Sequence, residues 1–109
     1  MKKIHNKLVR DKIPEIIKQD NGEPKIRIME PKEFLKELFN KLVEEANEAA
    51  ETKGDKEELM KEIGDVYEVI DTIIDCFDLD KEEILKIKQE CKTRRGGFDK
   101  RIFLESVEK

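Results

Sequence analysis

Apolar residues recur every three or four positions through two long stretches of the chain, a period that predicts two amphipathic helices. From about Lys32 to Thr52, the positions Phe34, Leu35, Leu38, Phe39, Leu42, Ala46 and Ala49 form one continuous stripe. After Gly54, which suits a helix C-terminus, a second helix runs to about Phe77. Its core face is Leu59, Met60, Ile63, Val66, Tyr67, Ile70, Ile73, Ile74 and Phe77, with Val69 and Cys76 extending it on one side. Asp55 with Glu58, and Asp80 with Glu83, repeat an acidic variant of the capping box, so a third helix opens after Asp80 and stops before Arg95-Gly96-Gly97. Near the start, "RDKIPEIIKQDNGEP" predicts a shorter helix with Asp11 as N-cap, Pro14 in its first turn and a stop at Asn21-Gly22. "KIRIM", Lys25 to Met29, alternates like a short strand, and Ile102 to Leu104 offers a partner for a two-stranded piece. The expectation is a mainly α protein: an antiparallel helical hairpin core within a small helical bundle, in one domain spanning residues 1–109.

Composition narrows the partners. Charged residues make up 46% of the chain and aromatics 6%, which suits helices with wide polar faces. A net charge of -4 argues against a nucleic-acid coat, so no nucleic-acid polymer is expected. No apolar run approaches the length of a membrane span, and "MKKIHNKLVRDK" lacks the apolar core of a signal peptide, which leads to the expectation of a cytoplasmic protein away from membranes. Cys76 and Cys91 lack metal-ligand spacing and read as core thiols.

Projection at about 100° per residue puts certain acids where a solvated face would not. Glu45 falls inside one edge of the first long stripe, Glu48 borders the same edge, and Glu44 lies further round. On the second helix Glu62 sits inside the extended apolar arc, between Ile73 and Val69, with Asp65 one turn later at its edge. An acid held against apolar neighbours without a partner is unfavourable by several kcal/mol or is forced to protonate. Helices joined by a short turn run antiparallel, so the pairs Glu45/Glu48 and Glu62/Asp65 can converge, and a hard divalent cation resolves their repulsion. Oxygen ligands alone select Mg²⁺; the lack of histidine near them disfavours zinc and di-iron chemistry.

"EEANE" (Glu44 to Glu48), thirteen residues, then "EIGD" (Glu62 to Asp65) resembles the EExxE…ExxD pattern of the all-α nucleoside triphosphate pyrophosphohydrolases, the MazG-like superfamily. "NKLVRDKIPEIIK" and "RRGGFDKRIFLE" look like its small single-domain, house-cleaning branch, so that the resemblance covers most of the chain. It implies Mg²⁺ held by Glu45, Glu48, Glu62 and Asp65, with Glu44 as either a ligand to a second ion or the base for the attacking water. It also implies cleavage of a nucleoside triphosphate, ordinary or damaged, between its α and β phosphorus atoms. A close relative in reaction type is phosphoribosyl-ATP pyrophosphohydrolase; a helical metal- or partner-binding module without turnover is the reading from a different class.

A triphosphate substrate needs further cations, and Lys7, Arg10, Lys92, Arg94 and Arg95 are the candidates. Gly96-Gly97 reads either as a helix cap and turn or as a cradle for an anion. Arg10 with Asp11 reads alternatively as a surface pair, and Phe98 as a core residue in preference to a base-stacking one. The apolar arc of the second long helix is wider than one neighbouring helix covers. That width, together with the usual assembly of family members, leads to the expectation of a homo-oligomer, most simply a dimer.

Overall fold

The computed structural model describes residues 2–109 as four helices, α1 (Ile13–Gln19), α2 (Pro31–Glu51), α3 (Lys56–Cys76) and α4 (Lys81–Arg95), and the fold is mainly α. The chain divides into two compact units, the first ending at Phe77 and the second running Asp78–Lys109. Among the described residues no helix is long and apolar enough to cross a membrane.

In the first unit α2 and α3 pack on each other, joined by residues 52–55. Pro31 opens α2 at a position where its missing N–H removes no helical bond. Thr52 closes the helix with its hydroxyl donating to the Ala49 carbonyl at 2.8 Å, and Lys53 (φ 55°) and Gly54 (φ 88°) follow in the left-handed region. The Asp55 carboxylate then accepts from the Glu58 N–H at 3.2 Å and caps α3. Leu38, 2% exposed, and Val69, 8% exposed, are the buried apolar centre of the pair, and the rings of Phe39 and Phe77 meet at 5.6 Å.

The face that α3 turns inward differs from the expected one. Its buried line is Val69 with half-buried Glu62, Asp65, Val66 and Ile73, whereas Met60, Ile63 and Tyr67 stay exposed. A helix apolar over so wide an arc cannot bury all of it against one neighbour, and here the Val69 side takes the contact. Cys76, the last residue of α3, is exposed and Cys91 half-buried, so neither is a core thiol.

Other expectations fail near the ends of the chain. No strand forms among the described residues: Lys25–Met29 joins no ladder, and Ile26, Ile28 and Ile102–Leu104 are exposed. An isolated two-stranded ribbon is marginal in water. Arg27 instead donates two hydrogen bonds to Glu33, at 2.7 and 2.6 Å, tying this segment to the first turn of α2. Asp11 does not cap α1; Lys12 occupies the N-cap and makes no side-chain cap bond.

The second unit consists of α4 and the tail. Asp80 caps α4 by accepting from the Glu83 N–H at 3.2 Å, and Gly96, at φ 84°, ends it with its N–H on the Lys92 carbonyl at 2.7 Å. Phe98 is 96% exposed and closes no core.

Candidate functional site

Helical spacing brings three predicted acids together. Glu45 and Glu48 lie three residues apart on α2, Glu62 faces them from the second turn of α3, and one carboxylate oxygen from each comes within 4.8 Å of the others. Glu45 is 7% exposed and Glu62 and Glu48 are half-buried. The Oε2 atoms of Glu45 and Glu62 are buried and have no hydrogen-bond partner among the described residues. Burial pushes the Glu45 carboxyl above the usual carboxylate range, and the adjoining Glu48 carboxyl pushes it further; Lys41 pulls the other way without outweighing them. The donor set is all oxygen, without sulfur or imidazole, and so fits a hard cation such as Mg²⁺ or Mn²⁺.

Asp65, the fourth predicted ligand, stands outside this group of three. Its Oδ1 accepts from the Arg10 guanidinium at 2.8 Å. Glu44 is also engaged: Oε1 accepts from Lys7 Nζ at 2.9 Å and Oε2 from Lys41 Nζ at 3.0 Å. Burial opposes the charged form of Glu44, yet the two lysine hydrogen bonds outweigh it and hold its carboxyl below the usual range. Lys7 is correspondingly raised, first by its bond to Glu44. Beside Glu44 lies a polar cavity of about 140 Å³ lined by Asn6, Lys7, Asn40 and Lys41, among others.

Lys41 is the member of this charged cluster that the sequence reading missed. Its ammonium bridges Glu44 and, at 3.4 Å, Glu45. The signal was present, because Lys41 precedes those acids by three and four residues and so shares their helix face.

Lys92, Arg94 and Arg95 stand in the last turn of α4, where cations complement the negative end of the helix dipole. Arg95 approaches Cys91 Sγ at 3.1 Å. Gly96 acts as the helix terminator, and Gly97 follows with the Lys92 stem beside it. No family model, no curated protein and no solved structure matches this chain.

Proposed function

We propose that this chain is an Mg²⁺-dependent nucleoside triphosphate pyrophosphohydrolase, releasing a nucleoside monophosphate and pyrophosphate. The observation that carries the reading is the pair of buried, unpartnered oxygens on Glu45 and Glu62 within a three-carboxylate group. Buried acids are normally hydrogen-bonded, and an acceptor left without a donor costs about 1–3 kcal/mol. A hard cation removes that penalty and the mutual repulsion at once. The EExxE…ExxD pattern supplies the reaction class. The reading includes an antiparallel α2–α3 hairpin, supported by Phe39 meeting Phe77 while Glu45 and Glu48 meet Glu62.

Glu45, Glu48 and Glu62 are the residues to hold the ion, with Asp65 one turn beyond. Mg²⁺ supplies positive charge that screens the polyphosphate and acidifies water. The chain's own contribution is position and charge. Lys7 and Arg10 lie beside the acids and offer donors to phosphate oxygens, while Lys41 orients Glu44 and Glu45. Glu44, held ionised by two lysines, is a weak proton acceptor, which favours the second-ion role over that of base. In the reaction water adds to the α-phosphorus and the bridging bond to the β-phosphoryl breaks, so that pyrophosphate leaves.

The deciding assay is incubation of the full chain with Mg²⁺ and a panel of nucleoside triphosphates. Oxidised, deaminated and methylated forms and phosphoribosyl-ATP belong on that panel. Equal yields of pyrophosphate and monophosphate, lost on chelation, are expected; orthophosphate as first product or no turnover at all overturns the reading and favours the binding module.

The reading also includes a homo-oligomer, with a second copy covering Met60, Ile63 and Tyr67. These residues are 61%, 41% and 65% exposed and line one shallow apolar face of α3 with Leu59. Ile63→Lys is expected to shift the mass measured by light scattering from dimer to monomer while the helical circular dichroism is kept. A wild-type monomer at the same concentration removes the oligomer from the reading.

A further inference from the structure

The cations nearest the acids come from one short segment. Lys7 reaches Glu44 on α2 and Arg10 reaches Asp65 on α3, so residues 7–10 form a strap tied to both helices. Asn6, at φ 45°, turns the chain immediately before it, and Leu8 and Val9 are half-buried between the two basic residues. Each tie lands beside an acid with an orphaned oxygen: Glu44 adjoins Glu45, and Asp65 lies one turn after Glu62.

The strengths of these contacts are unequal. The side chains of Lys7 and Arg10 are 40% and 56% exposed, and ion pairs of that kind contribute at most about a fivefold factor to an equilibrium. Glu45 and Glu62 cannot recover water as easily, because their Oε2 atoms are buried. A competitor for this carboxylate cluster therefore displaces the strap first.

We propose that Lys7 and Arg10 are exchangeable counter-ions of the acid cluster: a divalent cation displaces them from Glu44 and Asp65, and the freed strap then binds the phosphates of the incoming anion. This rests on the metal reading above. It makes binding ordered, cation before polyphosphate, because before the cation enters both basic groups are occupied by the chain's own carboxylates. The same two residues thus serve the ion-free and the anion-bound states.

The test uses the full chain and two readouts independent of turnover. Calorimetry with Mn²⁺ alone compares the wild type with Lys7→Ala, Arg10→Ala and Lys61→Ala. Lys61 provides a control for general charge, since its ammonium stands 3.9 Å from Glu62 and outside the strap. Loss of either strap cation is expected to tighten Mn²⁺ binding about two- to fivefold, with a smaller change for Lys61→Ala. Trypsin cleavage of the wild type after Lys7 and Arg10, measured against cleavage after Lys100, is expected to accelerate with Mg²⁺. It is expected to slow again when inorganic tripolyphosphate is added to the Mg²⁺-bound protein. Mn²⁺ binding with unchanged affinity in both strap variants, an equal gain in Lys61→Ala, or strap cleavage insensitive to Mg²⁺ each overturns the exchange and leaves the metal reading intact. Failure of the wild type to bind Mn²⁺ overturns both.

Discussion

Glu62→Ala is expected to lower Mg²⁺-dependent pyrophosphate release at least about 100-fold, the scale seen when one preorganised electrostatic group is removed from an active site. Within the three-carboxylate group, Glu45 and Glu48 come from the same helix and only Glu62 comes from α3, so its loss removes one entire wall. Asp65 and Glu44 do not take its place, since neither brings an oxygen within the group of three. The fold should survive, because Oε2 of Glu62 makes no hydrogen bond among the described residues. A coupled pyrophosphate assay beside a thermal melt in chelator separates the two effects. Activity within tenfold of wild type, in a folded variant, removes Glu62 from the site and with it the reading of the cluster.

Glu45→Gln is expected to act on stability in the opposite direction from most core substitutions. The wild-type carboxyl is raised above its unfolded value, by burial first and then by Glu48. Below the unfolded pKa of about 4.3 both states carry the proton and the site is neutral to folding. As pH rises through the raised native value, the native state holds its proton longer than the unfolded state, and stability falls. At a pH well above the unfolded value the native state carries a penalty for this carboxyl, either by keeping its proton or by burying its charge. In chelator at pH 7 the glutamine variant should therefore be the more stable by about 2 kcal/mol, a Tm difference of about 10 °C for a chain of this size. The gap should close toward pH 4. The difference between the two proteins is the quantity to follow, because Glu44 and Glu33 are held low and lose their contribution as pH falls. With Mg²⁺ present the order should narrow or reverse, since the wild type gains from ion binding and the variant does not. Equal melting at pH 7 in chelator would sink this account of Glu45.

The sequence made the helices legible because their ends carry local chemistry. Asp55 and Asp80 cap as the spacing to Glu58 and Glu83 predicts, and Gly54 and Gly96 adopt the positive φ that a helix exit requires. Glu45 was legible as a buried acid because one stripe of α2 is narrow enough to assign a single inward direction. The orientation of α3 was not, because apolar residues surround so much of it that periodicity alone cannot choose between Val69 and Tyr67. Only the three-dimensional contact with α2 decides that. The strand at Ile26 and Ile28 misled for a related reason: alternation describes an extended chain, while a strand also needs a ladder partner, and none is present among the described residues. The strap was legible in composition, as two basic residues three apart, but its attachment to two helices depends on contacts 37 and 55 residues away in sequence.

Leu38, Val69 and Glu45 are the buried residues of the α2–α3 pair, so the small interior of this unit is shared between apolar packing and a carboxylate. A laboratory selection for heat resistance alone will therefore be drawn to position 45, where a neutral or apolar side chain relieves the largest local conflict. On the proposed function, the survivors of such a selection would be sturdier and would lack the cation site. On the same proposal, selection for both properties has to find its gains elsewhere, in the loops away from the carboxylate cluster.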